Sequence, residues 1–249
     1  MSTNLRRLIT TETKLFTREP VGLIFVFAFP ALTVLILGGV FDKNDPGFGG
    51  VTPAAYYVAA YISVVLTAVG FIMLPVHLAA YRERGVLRRF HASHFQPWAL
   101  PAAWVAVATT LVTLAIGVLL ATAQVSYGIP TVHNLRGTLI ATALTVATYI
   151  STGILLGLAL PTARAAQGVG LALFFPSFLL GGGGPPPNAM PPVMRTISNA
   201  LPMTHAARAI QNPWLSIGGS NTTNLTVLIG CLIATTIGWI SLANRTASR

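Results

Sequence analysis

Long apolar runs alternate with short polar or glycine- and proline-rich segments from the first quarter of the chain to its end. The runs cover about Val21–Phe41, Pro53–Ala80, Trp98–Ala123, Arg136–Leu160 and Leu225–Ala243, and each approaches or exceeds the roughly 20 residues a helix needs to cross a bilayer. Another run, Gly168–Leu180, is short, and it crosses only if Gly181–Gly184 complete it near the far interface, giving a span over 168–184. The pattern predicts an all-α integral membrane protein: six transmembrane helices in a single domain, residues 1–249.

The segments between the runs predict the remaining elements. In residues 1–19, Leu5, Leu8, Ile9, Leu15 and Phe16 recur at helical spacing among Arg6, Arg7, Lys14 and Arg18, the pattern of an interfacial helix. Pro30 in the first span and Pro75 in the second mark expected kinks. Trp98 and Trp104 are placed for the interfacial aromatic belt, and Gly153 with Gly157 forms a small-xxx-small pair for close helix packing. Pro161–Gln167 reads as a tight turn. Gly181–Pro187 breaks any continuous helix, and Val193–Ala200 and Thr204–Ile210 then read as two short re-entrant helices within 188–212, dipping into the outer face.

Composition agrees with a bilayer protein. Of 249 residues, 53% are hydrophobic and 8% charged, whereas soluble domains carry roughly 25% charged residues. The mean hydropathy is +0.71. The net charge of +10 comes from short segments that flank the apolar runs. Without a basic stripe interleaved with aromatics, this charge points to membrane lipid and topology rather than to nucleic acid. Its densest cluster is the loop after the second run. There Arg82, Arg84, Arg88 and Arg89 surround Val86, Leu87 and Phe90, the pattern of a short amphipathic helix over about 82–92. Positive loops stay cytoplasmic, and with both termini inside, 11 of the 15 basic residues fall on that side.

Chemistry is sparse. The five acids, Glu12, Glu19, Asp42, Asp45 and Glu83, lie outside the apolar cores, so no carboxylate pair assembles at membrane depth. His77, His91, His94, His133 and His205 read as polar interfacial residues, without cysteines or acids at metal-ligand spacing. Cys231 is the single cysteine. Lys14 and Lys43 are the only lysines, and neither follows a glycine-rich loop, so a phosphate-cradling motif is absent. Ion-driven carriers usually place ionisable groups inside their spans. The expected driving force therefore lies outside this chain, with no catalytic site and no metal within it. A carrier or channel working without an ATPase is the alternative reading.

The loop and the outer segment carry a family resemblance. Arg82-Glu83-Arg84-Gly85-Val86-Leu87 resembles the R-E-x-G-[TV]-L segment that opens the cytoplasmic coupling helix in the permease subunits of type-2 ABC exporters, the group of drug, antibiotic and polysaccharide export permeases. Pro97-Trp98 is similar to the proline-aromatic pair before the third span. Pro191 and Leu201-Pro202-Met203-Thr204-His205-Ala206 are similar to the outer-face pattern, a proline followed by [LN]-P-[LM]-T-x-A. Two departures stand out: the family's proline near His94 is missing, and Gly181–Pro187 is richer in glycine and proline.

The resemblance implies a permease working as a dimer, either of identical chains or with a related permease, beside a separate ATP-binding cassette ATPase that binds the ATP and Mg; no cofactor is expected in this chain. It implies ATPase coupling through Arg82, Glu83, Arg84, Gly85, Leu87, Arg88 and Phe90. Glu83 would cap the coupling helix, Gly85 would permit close approach, and Leu87 with Phe90 would supply buried contacts. Pro191, Pro202 and Thr204 would belong to an outer gate. A path lined by Leu, Val, Phe and Ala suits a lipophilic or amphipathic small molecule such as a drug, antibiotic or lipid-like compound. Sugar paths tend to use aromatic platforms, which are sparse along the sequence.

Overall fold

The computed structural model describes residues 20–85 and 99–247, together with Thr10 and Arg18. Among them the chain is helical, without strands. Helix α1 is Pro20–Val40, and α2 covers 53–83 in three consecutive segments, Pro53–Ala68, Val69–Met73 and Leu74–Glu83. Then come α3 (Ala99–Ser126), α4 (Leu135–Ala159), α5 (Ala163–Leu180), α6 (Pro192–Ala200), α7 (Pro202–Leu215) and α8 (Thr222–Ala247). All except α6 and α7 are long and apolar enough to cross a membrane, which makes six spans. The interfacial helix expected over 1–19 falls, apart from Thr10 and Arg18, outside the described residues.

Helix α2 is the axis of the bundle. It packs against α1, α3, α4, α5 and α7, and 94% of its most apolar window is buried, against 6% for α8, which lies at the edge on α4 and α7. Small residues set the α2–α4 distance. A Cβ added to Gly70 would stand 2.6 Å from the Tyr149 carbonyl oxygen, and one added to Gly157 would stand 2.5 Å from the Leu78 Cβ. Gly153 faces Gly70 and Leu74 in the same seam, so the small-xxx-small pair is a packing surface for α2.

The prolines act through wide turns. A helical proline lacks the N–H, and its ring crowds the carbonyl four residues earlier. Ahead of Pro30 the chain forms a π turn at Ile24–Ala28, and ahead of Pro75 another at Val69–Met73; each widens the helix where that crowding falls. The Phe71 carbonyl, four residues before Pro75, lies against Gly170 of α5, where a Cβ would stand 2.1 Å from its oxygen.

Three expectations change. Span five starts at Ala163 rather than Gly168 and stops at Leu180. The Thr162 hydroxyl caps it by accepting from the Ala165 N–H at 3.1 Å, so the polar residues expected to form a turn are its first helical turns. The glycines expected to complete the span form a folded-back turn after it. Trp104, expected in the interfacial belt, is 3% exposed beside Tyr81, with ring centroids 6.2 Å apart. His77, expected at the interface, is buried with its ring tilted over Tyr81. Trp98 lies outside the described residues.

Candidate functional site

The residues of interest gather at the two ends of α2. At one end, Glu83 is the last helical residue, Arg84 caps the helix, and Gly85 takes the left-handed conformation with φ +68°. The Arg84 N–H donates to the Ala80 carbonyl and the Gly85 N–H to the Arg82 carbonyl, so this end satisfies orphan carbonyls in the manner of a glycine stop. Arg82–Gly85 therefore finish the second span, where the sequence led us to expect the opening of a coupling helix over 82–92. Gly85 serves its turn, and a Cβ there would meet nothing within 4 Å among the described residues. Leu87, Arg88 and Phe90 lie outside the described residues.

The side chains at this end reach two other spans. The Arg82 guanidinium donates to the Leu158 carbonyl in the last turn of α4. The Glu83 carboxylate accepts from the Ala163 N–H, the first of α5, at 3.1 Å. Each charge sits on the helix end whose dipole it complements: the cation where carbonyls lack partners, the anion where N–H groups do. Glu83 thus caps span five.

At the other end, the glycine tract and α6 and α7 form a cap over α2. Tyr61 donates to the Gly183 carbonyl at 2.9 Å and Tyr57 to the Gly184 carbonyl at 3.0 Å. Pro191 is the N-cap of α6, and Pro202 opens α7, a position where a missing N–H costs nothing. The Thr204 hydroxyl donates to the Ser198 carbonyl, and the Ser198 hydroxyl donates to the Leu180 carbonyl at 2.6 Å, which links α7, α6 and α5 in series. Gln211 donates to the Tyr56 carbonyl at 3.0 Å. A narrow crevice lined by Tyr56, Gly181, Met190, Thr204, Arg208 and Gln211 opens in this cap.

Aromatics from α1, α2 and α5, far apart in sequence, meet in one seam. Phe25, Phe29, Phe174, Phe178, Tyr61 and Tyr57 follow one another with ring centroids 4.9–6.1 Å apart. Phe174, Tyr57 and Tyr61 are fully buried, so this seam packs α1, α2 and α5 together instead of forming an open stacking platform.

Of the residues singled out from the sequence, Arg82 and Glu83 share one cluster, and Pro191, Pro202 and Thr204 share another. The sequence did not disclose Tyr57, Tyr61, Ser198 or Gln211. No local pattern marks them, because their partners lie on other helices. Among the described residues no group of three or more His, Cys, Asp or Glu is placed to hold a metal.

A bundle of six helices long and apolar enough to cross a bilayer, closed at one end by hydroxyl-tied short helices and at the other by a helix-end clamp, defines a polytopic membrane protein. Against family models, residues 3–213 match ABC-2 type transporter, and the chain belongs to that family. It is thereby a permease of an ABC transporter, a transport subunit of a multi-pass membrane machine. A comparison with curated proteins gives no match.

Proposed function

We propose that this chain is the membrane-spanning subunit of an ATP-driven exporter. It forms the translocation path as a dimer, sits in the cell membrane with both termini cytoplasmic, and is moved by a separate ATPase subunit. Its cargo is a lipophilic or amphipathic small molecule of the drug, antibiotic or lipid-like kind. One observation carries the reading: Asp, Glu, Lys and Arg occur in the six spans only in their terminal turns. Ion-driven carriers usually work through carboxylates, lysines or arginines at membrane depth, and these spans hold none there; His77 is the one histidine within them. The energy then enters at an end, and the arginine-rich end after α2 carries the charge that keeps a loop cytoplasmic. The segment following Gly85 docks on the ATPase, and closure of the ATPase pair rocks the spans. The cap of Pro191, Pro202 and Thr204 gates the outer side, with α6 and α7 dipping into the membrane.

The test is reconstitution of the chain with the ATP-binding subunit that copurifies with it. A lipophilic fluorescent dye should accumulate in inside-out vesicles with ATP and fail to do so with a non-hydrolysable analogue. Dye movement by the chain alone at full rate, without nucleotide, would overturn the proposal.

A further inference from the structure

The geometry points to Arg82 and Glu83 as positioning residues that couple spans two, four and five to one another, rather than as contacts for the ATPase. The inference rests on the exporter reading above and refines how motion enters the bundle. Both side chains are exposed, yet each is already committed within the chain. Arg82 holds the Leu158 carbonyl at the end of α4, and Glu83 holds the Ala163 N–H at the start of α5. The turn between α4 and α5, residues 160–162, is thus gripped on both flanks by two consecutive residues of α2. Immediately beyond them Gly85 turns the chain out of the helix. A force on the segment after Gly85 therefore reaches three spans together, and the α4–α5 turn cannot lag behind α2.

The same geometry supplies a variant that breaks one arm of this staple. Ala163 is the first residue of α5, where proline is well tolerated, and Thr162 before it already has the extended φ −137°, ψ 157° that a following proline demands. Ala163→Pro removes the N–H that Glu83 accepts from and leaves the helix otherwise intact. Glu83→Ala removes the acceptor, and Glu83→Gln keeps a carbonyl oxygen in its place.

The experiment measures three quantities in the reconstituted complex: the amount of ATPase copurifying, the rate of ATP hydrolysis, and dye moved per ATP hydrolysed. Glu83→Ala and Ala163→Pro should both retain the ATPase and lower dye moved per ATP by roughly two- to five-fold, the equilibrium equivalent of losing one exposed helix-end charge. The double variant should be no worse than either single one, and Glu83→Gln should recover part of the loss. Loss of the ATPase in Glu83→Ala but not in Ala163→Pro would make Glu83 a motor contact and overturn the inference, as would additive losses in the double variant.

A distance measurement keeps the staple testable apart from transport. With spin labels at Arg84→Cys and Gln167→Cys in a Cys231→Ser background, Ala163→Pro should broaden the distribution between α2 and α5. An unchanged distribution would count against the staple even if the exporter reading stands. Failure of the unmutated chain to copurify with any ATPase, with the distribution still broadened by Ala163→Pro, would instead remove the exporter reading alone.

Discussion

Tyr61 of α2 donates its phenolic hydrogen to the Gly183 carbonyl at 2.9 Å, across 122 residues of sequence. Tyr57, one turn earlier, does the same to the Gly184 carbonyl. Both phenols are fully buried, so water does not compete for these carbonyls. The two bonds hold the glycine tract in the folded-back path that ends span five. Here the Gly181 N–H bonds to the Ser177 carbonyl, the Gly183 N–H bonds to the Phe178 carbonyl, and Gly182 takes φ +116°.

Tyr61→Phe keeps the ring in the aromatic seam and deletes only the donor. The Gly183 carbonyl is then buried without that partner, at a cost of about 1–3 kcal/mol. A thermal melt of the purified protein in detergent should show a fall of a few degrees for Tyr61→Phe, and a similar fall for Tyr57→Phe. An unchanged melting temperature in both would mean that the tract is held by its own backbone bonds.

Gly168 and Gly170 sit two positions apart on α5 and should respond in opposite directions to the same substitution. At Gly170 the new methyl carbon would stand 2.1 Å from the Phe71 carbonyl oxygen, a backbone atom that moves only if α2 and α5 separate. At Gly168 it would meet nothing within 4 Å. Gly170→Ala should lower the yield of folded protein and the melting temperature sharply. Gly168→Ala should be neutral or should stabilise the helix by up to about 1 kcal/mol through helix propensity. Size-exclusion profiles and melts of the two proteins decide this.

The same helix shows what the sequence displays and what it conceals. Five of the spans coincide closely with continuous apolar runs, because a bilayer imposes length and hydrophobicity directly on the residues that cross it. Span five departs because its first turns, Ala163–Gln167, contain Arg164 and Gln167, which an apolar scan discards, while the cap at Thr162 marks the true start. The π turns before Pro30 and Pro75 follow from proline chemistry, yet a sequence marks only that the helix is perturbed there. Glu83 is the sharpest case. A carboxylate beside a basic segment reads as a cap for that segment, whereas the N–H it accepts from belongs to Ala163, brought there by the packing of α4 and α5 on α2. Partners so far apart in sequence, like Tyr61 and Gly183, leave no local pattern.

Helix α8 is the least buried span, and its hold on α4 runs through hydroxyls. Ser151 lies 3.0 Å from the Thr236 hydroxyl and accepts from the Thr235 hydroxyl at 2.9 Å, while Ile229, Ile233 and Ile237 face outward at four-residue spacing. Hydrogen bonds between helices in a membrane are individually modest, near 0.6 kcal/mol on average. Ser151→Ala should therefore cost less than Tyr61→Phe, because the one Thr235 hydroxyl hydrogen, shared between Ser151 and the Cys231 carbonyl at 2.8 Å, then goes to that carbonyl alone. A reversal of that order in the melts would show that α8 contributes more to the bundle than its burial implies.

The connection from α7 to α8 depends on a directional chain of amides. Asn221 donates to the Ala209 carbonyl at 2.8 Å and accepts from the Asn224 amide at 2.9 Å, and Asn224 in turn faces the His205 ring at 3.0 Å. Because Asn221 must donate on one side and accept on the other, its two nearest replacements fail differently. Asn221→Ala removes both bonds. Asn221→Asp keeps the acceptor for Asn224 but sets a carboxylate oxygen against the Ala209 carbonyl, so it should destabilise at least as much as alanine despite its shape. Amide hydrogen exchange should rise in α7 and in the first turn of α8 for both variants, while α1 and α3, which do not touch this connection, keep their protection. If aspartate exchanged like the unmutated chain, Asn221 would act only as an acceptor, and the bond to Ala209 would carry no weight in holding α7 to α8.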